Sequence, residues 1–458
     1  MLTTRLPGVL AVVVFFATMV TACSAYGAST PSGYRELVDL FEAWRSFERP
    51  VMNGAVPDYS ATAMAAKAKA LPQWRKRLDA IDTKGWPIEQ QNDYKLVKAE
   101  MNGFDFNLRV LRPWARDPAF YVSVWAARSD CPLREGPLAY PAIELYNFKF
   151  PTGASGVGKE NYNWYQRNVH FVPFTWDEQV VLLHRELERA QAALRLEELK
   201  NRNLPPLDPV TNAAAFEKLT HASLDTFDTF LVTQQIIPDK PYIKPALQQQ
   251  LGHFVPEDQR IFFTRVTHRE PMLLLSHDYH WIDLARMRDE PNPSPIRRLA
   301  SLSNIWDNRA EGFATAFEEI VMHAGLYDDN PRAKELVWIM LANRAARGLA
   351  SLYVQANEMN LEQAGQFHAK WTPRGWAVAN DQLTAFEQLL YLRQPGYGTS
   401  YIIGKILFDR LLNEYAEQQD LAGKPFVLRD FMDRFNNEGM IPIPLMEAEM
   451  ISKQAREP

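Results

Sequence analysis

Residues 268–319 carry the side chains best suited to chemistry. His277 and His280 lie three residues apart with Asp278 between them, and their segment predicts one helix whose two imidazole rings share a face. Glu311 and Glu318 follow on the next predicted helix. Two histidines and a carboxylate from consecutive helices are a common ligand set for zinc. The sequence therefore predicts a metal site formed by His277, His280 and Glu311.

Three protein ligands would leave the fourth zinc position open to water, which is the arrangement of catalytic zinc sites. Zinc lowers the pKa of such a water to about 7 and polarises a carbonyl group. Asp278 or Glu318 would then act as the base, and Tyr401 would donate a hydrogen bond to the developing oxyanion. A second interpretation stays open, in which both histidines hydrogen-bond to Glu311 or Glu318 in a buried polar network without metal.

Composition excludes several other classes of protein. The chain has 458 residues, of which 47% are hydrophobic and 12% aromatic, so it can bury a large core. Its net charge is −5 with both signs mixed along the chain, which predicts no nucleic-acid partner and no basic surface for anionic membranes. It contains no G-x-S-x-G sequence and no βαβ alternation, so a serine hydrolase is not indicated.

Helical periodicity dominates from residue 34 onward and predicts an all-α fold with minor short β segments. Thr175 with Glu178 forms a predicted capping box, and the helix carrying Glu311 should begin at Asp307 and end near Gly325. Residues 262–266 and 170–175 are interpreted as short extended segments, with plain connecting chain as the alternative. Helical patterns cover residues 34–48, 60–82, 97–111, 175–200, 212–235, 335–357, 379–392 and 400–419.

The N-terminus predicts export and lipid anchoring. Residues 1–22 have a basic start and an apolar run too short to span a bilayer, which is typical of a signal peptide. The sequence Val-Thr-Ala-Cys at its end resembles a bacterial lipobox, so Cys23 would carry the lipid; ordinary cleavage a few residues later is the alternative. Residues 23–33 would form a tether and residues 34–458 one large helical domain.

Location follows from the same segment. A lipidated Cys23 would attach the protein to the cell envelope of a bacterium, facing the periplasm. Ser24 rather than aspartate follows the cysteine, which in a Gram-negative host predicts the outer membrane. Cys131 is the other cysteine of the chain, so no internal disulfide is expected, and its thiol is predicted to be buried. The sequence does not indicate an oligomeric state.

Several segments, in order, resemble the bacterial family called domain of unknown function 885, helical proteins regarded as zinc peptidases of the gluzincin type. The resemblance covers roughly residues 34–415. It rests on NDYKLVKAEM, LRPWARDPAFY, the segment from Gly158 to Arg189, AEGFATAFEE, and the C-terminal Pro-Gly-x-x-x-Ser-Tyr-x-x-Gly at 395–404. The family carries H-E-x-x-P-G-H and then E-G-W-A-L-Y-A-E. The resemblance implies Glu311 as a zinc ligand and His280 as the last histidine of the first motif.

The first motif is altered in this chain. Counting back from His280 without a gap places Leu274 and Leu275 where the family has histidine and glutamate. Deleting three residues instead places His277 and Asp278 there, although aspartate is one methylene shorter than glutamate. Other family positions also differ, with Ser351, Gln355 and Leu390 replacing acidic, histidine and arginine residues.

The expected function is therefore a divergent metal-dependent hydrolase, peptidase-like, or a lyase, acting on a small or peptide-like substrate. The alternative is a non-catalytic lipoprotein derived from a metallopeptidase fold that retains the cleft to bind a peptide or small ligand. Zinc is the cofactor expected in the first case.

Overall fold

The computed structural model describes residues 32–54, 56–117, 154–298 and 306–451. Within these ranges the predicted all-α class is confirmed, because the protein is 69% helical and its sheet has two strands. The predicted signal peptide, Cys23 and Cys131 lie outside the described residues. No helix in the described ranges is long and apolar enough to cross a membrane.

Helices make up most of the described ranges. In chain order they are α1 (Ser32–Glu48), α2 (Ala61–Asp79), α3 (Ile88–Phe106), α4 (Pro113–Arg116), α5 (Lys159–Asn168), α6 (Trp176–Lys200), α7 (Ala213–Thr233), α8 (Ile243–Gln248), α9 (Phe262–Thr267), α10 (Met272–His277), α11 (Tyr279–Asp289), α12 (Asp307–His323), α13 (Ala333–Gln355), α14 (Leu361–Trp371), α15 (Gln382–Arg393), α16 (Tyr397–Leu421), α17 (Leu428–Asn437) and α18 (Ile443–Met450).

Shorter elements complete the chain. A π-helical turn, Asn107–Leu111, extends α3, and 3-10 turns lie at Glu257–Gln259 and Pro373–Gly375. The strands β1 (Met52–Asn53) and β2 (Val56–Pro57) pair antiparallel, with Met52 opposite Pro57. This hairpin was not predicted from the sequence, and it lies far along the chain from the candidate site.

Predicted helix boundaries agree well with the structure. Thr175 and Glu178 form the capping box at the start of α6, since each side chain bonds the backbone N–H of the other residue. Helix α12 begins at Asp307, and Gly325 follows its end with a positive φ of 100°. These agreements come from local signals, namely side-chain caps and a glycine in the left-handed region.

The two predicted extended segments are wrong. Residues 262–267 form helix α9, in which Phe262 and Val266 are both buried because they lie four residues apart on one face. A segment this short does not distinguish a strand from a buried helical turn. Residues 171–175 have no strand partner, and Phe171 takes a positive φ of 57°.

Helices α12, α13 and α16 pack together at the centre, and α6 packs against α13. Two glycine contacts set their separation. A Cβ atom on Gly404 of α16 would lie 2.2 Å from the carbonyl oxygen of Asn308 in α12, and one on Gly348 of α13 would lie 2.7 Å from the carbonyl of Gly398 in α16. The three backbones therefore touch, which brings the polar side chains on their facing sides close together.

Candidate functional site

The candidate site lies where α10 and α11 meet the central helices. The sequence predicted one helix through His277 and His280, and this is wrong, because α10 ends at His277 and α11 begins at Tyr279. Asp278 forms the junction with a ψ of 15°, outside the helical range. The break turns the two imidazole rings so that they meet almost at right angles, with centroids 5.0 Å apart.

Both histidines reach the same carboxylate oxygen. Glu311 Oε2 lies 3.2 Å from His277 Nε2 and 3.1 Å from His280 Nε2. Glu311 and His280 are almost wholly buried, whereas the side chain of His277 is 14% exposed. The three predicted ligands therefore come together, with one partly open side at His277.

Glu318 lies on the other side of His277 from Glu311, two helical turns further along α12. Its Oε1 is 3.1 Å from His277 Nδ1, the ring nitrogen that faces away from Glu311. Arg344 of α13 donates to both oxygens of Glu318 at 2.6 Å, and its Nη2 is 3.0 Å from His277 Nδ1. A carboxylate held by a bidentate arginine is a fixed acceptor. Glu318 accepts a hydrogen bond from His277 when Nδ1 carries the proton, and Arg344 Nη2 donates to Nδ1 when it does not.

Burial and charge act in opposite directions on the two carboxyl groups. Burial would raise the pKa of Glu311, but the charge of His280 and hydrogen bonds from His277 and His280 hold this pKa well below its ordinary value. Burial would likewise raise the pKa of Glu318, and the charge of Arg344 together with His277 lowers it. Both groups are therefore carboxylates in the folded protein.

Two tyrosines of α16 complete the site, and the sequence reasoning missed one of them. The Tyr397 hydroxyl donates to Glu311 Oε1 at 2.5 Å. Tyr401, the residue predicted to act on an oxyanion, stacks its ring beside His277 with centroids 6.1 Å apart. Tyr397 precedes Tyr401 by four residues, so helical spacing within the Pro-Gly segment was a signal that could have found it.

A second buried polar layer continues along α13. Arg347 forms an ion pair with Glu387 of α15 and lies over the ring of Tyr401 at 4.3 Å. His368 lies near the other oxygen of Glu387, at 4.0 Å, and burial together with the charge of Arg347 lowers its pKa to about 3. His368 Nε2 is 2.8 Å from the Asn343 side-chain amide. This layer supports the rings above it and keeps His368 neutral.

The other positions named from the sequence comprise one residue at the helix junction, two apolar residues and one glutamine that bonds the backbone. Asp278 is half-buried at the junction beside His277. Leu275 is buried and Leu274 packs against the core, so the positions that the ungapped alignment gave to histidine and glutamate are apolar. Gln355 donates to the carbonyl groups of Tyr391 and Leu392, a structural role at a position where the family has histidine.

The residues present fit a metal ion. One ligand atom from each of His277, His280 and Glu311 lies within 4.8 Å of the others. Tetrahedral zinc with bonds of about 2.1 Å places neighbouring ligand atoms about 3.4 Å apart. The two nitrogen–oxygen distances of 3.2 and 3.1 Å are close to that separation. Glu318 beyond His277 supplies the carboxylate that typically orients a metal-binding histidine.

Comparison with known proteins agrees with the family expected from the sequence. Residues 280–450 match the family described as "Bacterial protein of unknown function (DUF885)". Over this region the chain is similar to the family expected from the sequence. The match begins at His280 and includes Glu311, Arg344 and both tyrosines of α16. The DUF885 match therefore covers most of the candidate site, and His277 and Asp278 lie just before it.

Two solved structures share the fold. One, described as a "putative lipoprotein of unknown function" from Shewanella oneidensis, has a TM-score of 0.66 and 12% identity, with 91% of this chain and 98% of that chain covered. The other, a "putative lipoprotein" from Colwellia psychrerythraea, has a TM-score of 0.60 and 12% identity, with 92% and 99% covered. No curated protein matches the chain.

Proposed function

We propose that this protein is a lipid-anchored envelope protein that binds zinc through His277, His280 and Glu311 and hydrolyses a peptide-like substrate. The observation that carries the proposal is the convergence of both histidine Nε2 atoms on Glu311 Oε2, at 3.2 and 3.1 Å. When Nε2 is deprotonated, its lone electron pair can bind a metal. Two such imidazole nitrogens and a carboxylate form a ligand set that zinc prefers.

Neighbouring residues orient the proposed zinc ligands. With the His277 proton on Nδ1, Glu318 would accept its hydrogen bond, and the Nε2 lone pair would be left for the metal. Tyr397 holds the second oxygen of Glu311, which fixes the orientation of that carboxylate. Glu318 is therefore better suited to positioning than to proton transfer, because both of its oxygens are already bound.

Asp278 is left as the proton acceptor of the reaction. It adjoins His277 at the helix break and is partly exposed, as a group that contacts water must be. Tyr401 stands beside His277 and would donate to the oxyanion of the scissile carbonyl. Zinc, when bound, supplies Lewis-acid activation of water and of the carbonyl group.

Anchoring is supported by the sequence at Cys23 and by the two structural relatives. Each relative is described as a "putative lipoprotein", and each is covered over nearly its whole length. In a Gram-negative cell, Ser24 after the cysteine favours the outer membrane, with the helical domain facing the periplasm.

A second candidate function is a binder without catalysis. It is favoured by Leu274 and Leu275, which are apolar where the family motif has histidine and glutamate. In this case His277, His280, Glu311 and Tyr397 form a buried hydrogen-bond network that stabilises the cleft without metal.

The test combines zinc content with peptide hydrolysis. The protein is dialysed against zinc and its content measured by elemental analysis, for the wild type, His280→Ala and the control His221→Ala, which removes an exposed histidine of α7. About one zinc per chain in the wild type and control, and none in His280→Ala, is expected. Zinc-dependent cleavage of a peptide mixture should be lost in Asp278→Asn but kept in Asp289→Asn. Absence of stoichiometric zinc from the wild type supports the binder instead.

A further inference from the structure

A cavity of about 280 Å³ lies at the start of α13, away from the candidate metal centre. We refer to it as the Arg269 pocket. Glu335 on its wall precedes Arg344 by nine residues, which is about 14 Å along a helix axis. The pocket is lined by Pro206, Leu207, Asp208, Arg269, Arg332, Glu335, Leu336, Arg374 and Trp376.

Two of the three arginines in this wall form ion pairs with Glu335. Arg332 donates to Glu335 at 2.9 Å and to the carbonyl groups of residues 201, 204 and 205. Arg374 donates to Glu335 at 2.6 Å and to Glu198 at 3.3 Å. Glu335, which is buried, thus has its charge balanced by two guanidinium groups. These pairs make a rigid wall that is rich in positive charge.

Arg269 is the arginine of this wall that does not pair with Glu335. It donates to the carbonyl of Arg265 at 2.7 Å, and within the described part of the chain it forms no ion pair with a carboxylate. Its guanidinium lies over the ring of Trp376 at 4.7 Å, which holds it in the pocket wall. Burial and the neighbouring charges of Arg260 and Arg374 lower its pKa, so its environment already carries an excess of positive charge.

The loop that carries Trp376 has an unusual backbone. Arg374 adopts a left-handed conformation with φ of 63° and ψ of 8°, which costs a side-chain-bearing residue energy. This conformation lets Arg374 reach Glu335 while its guanidinium also lies 5.8 Å from the Trp376 ring centre. Two arginines are thereby fixed around one indole at the cavity.

We propose that the Arg269 pocket binds a small anion carrying a carboxylate or phosphate group. The planar fork of an arginine matches either group with two parallel hydrogen bonds. The guanidinium of Arg269 would take the anion, the Arg332–Glu335–Arg374 cluster would hold the wall in place, and Trp376 would pack against the rest of the molecule. The cavity volume limits the ligand to a small molecule. This binding does not depend on the zinc site.

The test is isothermal titration of the full chain with inorganic phosphate and, separately, with succinate. Arg269→Gln removes the fork and the charge, and it should weaken binding about tenfold or more. Arg269→Lys keeps the charge but loses the fork, so an intermediate loss is expected. Arg185→Gln, an exposed arginine of α6, is the matched control and should leave affinity unchanged.

Asp208 provides a test of opposite sign. It is exposed at the pocket rim, so Asp208→Asn should fold normally and should bind the anion about two- to fivefold more tightly. The Asp208→Asn measurement tests anion binding in the pocket even if Arg269→Gln does not fold. Binding of phosphate alone or of succinate alone supports the proposal and identifies the group. No binding of either below about 10 mM, or an equal loss in Arg185→Gln, overturns it.

Discussion

Replacing Arg344 by methionine should destabilise the protein strongly, because it leaves the Glu318 carboxylate buried without its bidentate partner. Both side chains are 1% exposed and joined by two hydrogen bonds of 2.6 Å. Breaking such a pair from one side costs about 3–5 kcal/mol, since the buried carboxylate loses its arginine and keeps only the contact with His277. The free energy of unfolding, measured by urea denaturation in a chelator, should fall by that amount.

Two further variants give this prediction its control and its refutation. Arg410→Met removes an arginine that also pairs at 2.7 Å, with Glu414, but is 54% exposed, and it should cost less than about 1 kcal/mol. The double variant Arg344→Met with Glu318→Met removes both charges and should be more stable than Arg344→Met alone. A cost below about 1 kcal/mol for Arg344→Met, or a double variant whose cost is the sum of both single costs, would refute the reasoning.

Four other outcomes are expected. Gly404→Ala should lower the free energy of unfolding, measured in urea, by about 1–3 kcal/mol, because its Cβ would meet the α12 backbone. Thr175→Ala should cost about 1 kcal/mol in the same assay through loss of the capping box. Burial lowers the pKa of His170 from its ordinary value near 6.5 to about 4. Between pH 6.5 and pH 4, the imidazole therefore binds a proton in the unfolded chain but not in the folded protein. Stability should therefore fall by roughly 3 kcal/mol over that range as pH decreases, and His170→Phe should reduce the fall; an unchanged slope contradicts the account. Cys23→Ser should abolish incorporation of labelled palmitate and release the protein from the membrane fraction; retention of the label would disprove anchoring at this residue.

Much of the fold could be predicted because its signals are local. The capping box at Thr175, the start of α12 at Asp307 and the end near Gly325 all depend on residues within one or two helical turns. Helix α9 was mistaken for a strand because a segment of six residues carries too little periodicity to separate the two.

The candidate site was predicted in part for a similar reason. The types and spacing of His277, His280 and Glu311 indicated that they would come together, and they do. The break at Asp278, the contact of Arg344 with Glu318 and the Tyr397 hydrogen bond depend on how α10, α12, α13 and α16 pack. Such contacts between distant segments leave no periodic signal in the sequence.

X-ray absorption spectroscopy of the zinc-loaded protein tests the central claim most directly. Nitrogen and oxygen atoms at about 2.0–2.2 Å from the zinc are expected, with outer-shell scattering from two imidazole rings. The Glu311→Gln variant should lose stoichiometric zinc, whereas Glu217→Gln, an exposed glutamate of α7, should retain it. A spectrum without two imidazoles, or full zinc occupancy in Glu311→Gln, would contradict the assignment of His277, His280 and Glu311 as the metal site.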